Sequence, residues 1–293
     1  MGVIKPTWST WSFLVYAGGL TVLSATSAWL QYLNGRSGEA GYAGWALLVY
    51  VLLVAVALGF RRSGHPVSAG VFAFVAVIGL VAFVSALWHW FGWSTSTSSL
   101  NGFHPARLLL ELIWLVAAIA AVRTFRFPLL VAQVVLAGWL LVTDLISNGG
   151  NWSAVVTLVI GLVYLMIALA VDGGEGRPYG FWLHVGAGLL IGGSLLWFWH
   201  HGNFEWILIA ISALVFVWLA GLIGRSSWAV LGAAGLLFAA IHFTLEWTHV
   251  NVPFFSGGHS SARGWVPPLV FTCLGFLLVA LGLRAARRDP AAV

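Results

Sequence analysis

Three polar side chains at the end of one apolar run offer the first chemistry. In I-H-F-T-L-E-W-T-H-V, residues 241–250, His242, Glu246 and His249 are spaced i, i+4, i+7, which on a helix puts all three on one face. Two imidazoles and a carboxylate so placed can bind a divalent metal or relay protons. The order differs from the H-E-x-x-H protease motif, in which the histidines are four apart and the glutamate follows the first, so proteolysis is not indicated. The structural alternative is a wetted helix end with Trp247 as an interface anchor.

A second cluster opens another apolar run. In F-H-P-A-R-L-L-L-E-L, residues 103–112, His104, Arg107 and Glu111 are spaced i, i+3, i+7, and Pro105 suits a first helical turn. Glu111 should then lie about 10 Å inside the helix mouth. A carboxylate at that depth needs a partner, and Arg107 is the nearest. Either the two form a pair that fixes the helix, or they line a proton or substrate site facing the bundle interior. His104 joins His242, Glu246 and His249 as a candidate metal ligand. Asp144, near the end of the next apolar run, is a third carboxylate for proton-linked chemistry, and under the repeat described below it falls near the position of Glu246.

Aromatic residues surround these places. Trp88 and Trp90 flank His89, and Trp197 and Trp199 precede His200 and His201. They are read as an interfacial belt or as a vestibule able to hold a cation or planar ligand. His184 stands alone in its run, where bonding to a neighbour is expected ahead of axial haem ligation. No cofactor is expected beyond a divalent metal at the histidine cluster.

The elements that position these residues are apolar almost throughout. Of 293 residues, 61% are hydrophobic and 7% charged, against roughly a quarter charged in soluble domains. A water-soluble globule cannot hide that much apolar surface, so most of the solvent must be lipid. Ten stretches, approximately 11–30, 42–60, 68–91, 106–122, 127–146, 153–171, 180–199, 205–223, 227–247 and 266–284, predict an all-α, polytopic bundle of about ten transmembrane helices, a single domain over 1–293. The first stretch has Lys5 as its only charged leader and the length of a full span, so it reads as a retained helix and not a signal peptide.

Ten basic residues (Lys5, Arg61, Arg62, Arg123, Arg126, Arg177, Arg225, Arg284, Arg287 and Arg288) fall on one set of connections, and three (Arg36, Arg107 and Arg263) on the other. The positive-inside rule then puts both termini in the cytoplasm. With that orientation, seven of the nine histidines and five of the eight acids lie towards the outer face. The basic residues occur singly or in pairs, with no patch for nucleic acid. Cys273 is the only cysteine and Lys5 the only lysine, which excludes intrachain disulfides and cysteine metal clusters and a buried amine for Schiff-base chemistry. No phosphate loop, dinucleotide fingerprint or G-x-S-x-G elbow is present.

A faint repeat links Gly79–Trp90 to Gly188–Trp199, with six identities in twelve positions at an offset of 109; Trp11, Leu14, Ala17, Gly18 and Leu20 match Trp228, Leu231, Ala234, Gly235 and Leu237 at 217. A parallel four-helix unit would produce both. In length, helix number and cytoplasmic termini the chain resembles the drug/metabolite transporter superfamily, whose inverted five-plus-five halves differ from that repeat. The sequence thus reads as a multi-pass protein of a bacterial inner membrane, a permease or channel for a small solute or ion with an outward-facing polar cavity. Glu111, Asp144 and Glu246 would hold protons, and Arg107, His242 and His249 would line the path. A metal-dependent membrane enzyme or redox subunit, and a non-catalytic scaffold meeting a membrane partner or a second copy, are the competing readings.

Overall fold

In a computed structural model, residues 17, 18, 21, 22, 37–93, 104–146, 149–174, 176–199 and 202–248 are described. Among them every regular element is helical: α1 Gly38–Arg62, α2 Pro66–Trp90, α3 Pro105–Phe125, α4 Leu130–Ile146, α5 Gly150–Asp172, α6 Arg177–Trp199, α7 Asn203–Ile223 and α8 Ser226–Thr248. Seven are long and apolar enough to cross a membrane; α4, with 17 residues, is shorter. These eight coincide with eight of the ten expected stretches. The expected helices over 11–30 and 266–284 lie almost wholly outside the described residues.

Local chemistry explains the boundaries. Pro66 and Pro105 occupy the first helical turns of α2 and α3, where the missing N–H costs no bond. Pro128 delays the start of α4 to Leu130, three residues later than the apolar pattern suggests, because Phe127, Pro128 and Leu129 form tight turns instead. The chain leaves α3 and α7 through left-handed caps at Arg126 (φ 51°) and Gly224 (φ 69°).

Helices follow one another as hairpins, α1 closely along α2, α3 along α4, and α7 along α8. The chain forms two compact units, Met1–Ala187 and Gly188–Val293. In the first, α2 is the central helix, buried along more than half of its span. Phe127 is fully buried against Gly70 of α2, which has no room for a Cβ. Ala57, Val71, Val77, Ala118 and Leu130 complete that core. Gly186 of α6 meets Val135 of α4 as closely, and Gly138 of α4 leaves space for the Tyr164 hydroxyl of α5. Small residues let membrane helices approach and make up in dispersion what water cannot drive. In the second unit, α6, α7 and α8 leave an apolar cavity of about 230 Å³ bordered by Gly188, Gly192, Phe216, Gly235 and Phe238.

Candidate functional site

The α3–α4 hairpin is joined at residues 126–129, and its other, open end carries charge. Arg107 in the first turn of α3 forms an ion pair through Nε with Asp144 Oδ2 in the last turn of α4. Their side chains are 12% and 0% exposed. Glu111, one turn deeper on the same face of α3, is 4% exposed, and its carboxyl lies against that of Asp144 and within the field of Arg107. The expected Arg107–Glu111 pair is therefore a three-membered cluster in which Asp144 takes the guanidinium. The Thr143 hydroxyl, in the same turn as Asp144, is buried with no hydrogen-bond partner among the described residues. Ser194 and Ser212, by contrast, donate back to the carbonyls four residues earlier.

A neutral knot supports this cluster from below. Gln133 of α4, 2% exposed, accepts from Trp114 Nε1 at 2.9 Å and donates to the Phe74 carbonyl at 2.6 Å. Trp114 lies three residues beyond Glu111, so one face of α3 contributes both. The knot joins α2, α3 and α4 and fixes the rotation of α4 that turns Asp144 inward. Trp139 Nε1 to Thr157 Oγ1 at 3.0 Å, and Tyr164 Oη to the Val135 carbonyl at 3.1 Å, hold α5 along the other flank of α4.

The other candidates are arranged differently. In the second unit, His242 Nε2 donates to Asn203 Oδ1 at 3.0 Å across the open end of the α7–α8 hairpin. Its ring stacks on Trp206 at 4.3 Å with the planes 9° apart. Glu246 is exposed, and His249 lies outside the described residues. At the open end of α1–α2, His89 and Glu39 approach to 3.6 Å with both side chains mostly exposed. His104 precedes α3 as its cap residue without a side-chain capping bond.

Trp88 is buried and lies 6.4 Å from Trp93, whereas Trp90 is exposed and stacked on Phe91. Trp197 is exposed. Trp199 is half-buried at the end of α6. Among the described residues no three His, Cys, Asp or Glu side chains come together as a metal site.

Sequence reasoning passed over Gln133, Asn203 and Asp172. Asp172 ends α5 and its Oδ2 meets His184 Nε2 at 2.9 Å. An acid and a histidine on either side of a four-residue connection were the available signal for that pair. Gln133, a lone amide within an apolar helix, was the signal for the knot. No protein family, curated protein or solved structure matches the chain.

Proposed function

We propose that the protein is a multi-pass permease or channel for a small solute or ion, and that protons exchange at the Glu111–Asp144 carboxyl pair. The observation that carries this reading is the burial of two carboxyls and one guanidinium together at the open end of two apolar helices. Ionisable groups within membrane helices are expensive and mark ion or proton pathways. With both carboxyls ionised the cluster carries one net negative charge; one proton shared between them makes it neutral. A proton or small cation is therefore what the site is built to take and release. Arg107 holds Asp144 in place and keeps the empty site from carrying two uncompensated charges.

The distribution of arginines supports an orientation in a bacterial inner membrane with both termini cytoplasmic and the cluster towards the outer face. The polar second-unit residues His242 and Glu246, with His249, would then face the same compartment.

The test uses purified protein in proteoliposomes containing a pH-sensitive dye, with a potassium diffusion potential as the driving force. Wild type is expected to move protons well above the leak of empty vesicles, and Glu111→Gln to fall to that leak with unchanged helicity and elution volume. Equal proton flux in wild type and Glu111→Gln would overturn the proposal.

A further inference from the structure

A second ionisable pair, with one member buried, lies at the far end of α5, and the carboxyl cluster does not involve it. Asp144 stands two residues before the end of α4, which leads directly into α5 at Gly150; Asp172 is the last residue of α5. The 23 residues of α5 span about 34 Å, close to the thickness of a bilayer core. At its far end His184 is 0% exposed, and its Nε2 lies 2.9 Å from Asp172 Oδ2, whose side chain keeps 19% exposure. The pair therefore joins a group in reach of solvent to one sealed inside the helices.

We infer that Asp172 and His184 form a second proton-exchange station, on the membrane side opposite Glu111 and Asp144, through which protons enter or leave the interior of the first unit. This rests on the proposed proton-moving function and extends it to the other membrane surface.

The chemistry needs no added reactant. Asp172 takes a proton from water at Oδ2 and passes it to Nε2 of a neutral His184. The imidazolium releases one proton from Nδ1 into the interior, and return to the starting tautomer readies the ring for the next. One proton enters and one leaves, and the reverse order serves the opposite direction. An imidazole suits this role because both ring nitrogens exchange protons near neutral pH. Between the two stations the α4–α5 seam is interrupted by the Thr157 and Tyr164 hydroxyls, each able to accept and donate.

Arg177 begins α6, and Arg126, in the α3–α4 connection, acts on Tyr179. The turns of α4 that face α6 near Gly186, Leu130–Val135, contribute no titratable group. Among the described residues, Asp172 is the acid shown against His184.

The experiment measures proton flux in proteoliposomes between pH 5.5 and 8.5 for wild type, His184→Gln and Asp172→Asn, beside Glu111→Gln. The glutamine can keep a hydrogen bond to Asp172, and the asparagine can keep one to His184; neither titrates. Each is expected to lower flux about tenfold or more and to flatten its pH dependence, with little change in the unfolding midpoint. A pair that only ties α5 to α6 would lower the midpoint and leave the flux and pH profile of the folded protein as in wild type; that result would overturn the inference. Should one variant fail to fold, the other decides. Loss of flux in Glu111→Gln with wild-type profiles in both new variants sinks the second station alone. Equal flux in wild type and Glu111→Gln sinks the parent proposal instead.

Discussion

The α3–α4 and α7–α8 hairpins are each fastened across their open ends, and they use opposite physics. On α3–α4 the fastening is ionic and buried, Arg107 to Asp144 with Glu111 beneath. On α7–α8 it is a bond from His242 to Asn203 and a ring stack on Trp206, with the next carboxylate, Glu246, exposed. A neutral bond and a stacked ring are enough to hold two helix ends together. Burying an ion pair beside a further carboxyl for the same purpose costs several kcal/mol of desolvation per ion before any attraction is counted. The ionic version is the wasteful way to build a clasp, which is why the α3–α4 end is the better candidate for function.

That contrast breaks most sharply on removal of one partner. Asp144→Ala takes the carboxylate away from Arg107 Nε in a buried site and should cost about 3–5 kcal/mol. Adding Arg107→Ala to Asp144→Ala should recover part of the loss, since the guanidinium that lost its carboxylate goes with it. Equilibrium unfolding in mixed micelles measures both. Additive losses would mean that the two side chains do not act as a pair.

The knot below the cluster comes next. Gln133→Leu leaves the Trp114 indole N–H without its acceptor and removes the donor to the Phe74 carbonyl, for an expected loss of about 1–3 kcal/mol. If the knot sets the rotation of α4, proton flux should also fall, because Asp144 loses its aim. A stability loss without any effect on flux would separate the two roles.

On α7–α8, His242→Ala should cost only about 1 kcal/mol, the worth of one bond and part of a stack. His242→Phe, which keeps a ring against Trp206, should recover part of that. A loss as large as that of Asp144→Ala would erase the distinction between the hairpins.

How much of this was legible in the sequence depends on the range of the interaction. The eight described helices were visible because lipid demands long apolar runs, and the end points of most agree within about three residues. Glu111 and Arg107 were visible because they share a turn. Their actual partner, Asp144, is 37 residues from Arg107 and on another helix, and only the packing of α3 on α4 reveals it. The i, i+4, i+7 spacing of His242, Glu246 and His249 suggested one site. In the structure His242 bonds Asn203 and stacks on Trp206 of the facing helix while staying within the field of Glu246, contacts across the hairpin that spacing along one helix does not announce. Gln133 shows the same limit: one amide in an apolar helix announces a bond but not with whom.

The smallest expected effect concerns the turns that close the two hairpins. Both α3 and α7 end in a left-handed residue, Arg126 at φ 51° and Gly224 at φ 69°. A side chain in that conformation costs roughly 1 kcal/mol that glycine avoids. Gly224→Ala should therefore destabilise by about that amount, and Arg126→Gly should stabilise by somewhat less, since the guanidinium acts on Tyr179 and that interaction is lost. Unfolding midpoints moving in opposite directions would place the cost in the backbone. Midpoints that fall in both variants would mean that the Arg126 side chain contributes more at the α3–α4 turn than its backbone strain removes, making that hairpin charge-fastened at its closed end as well.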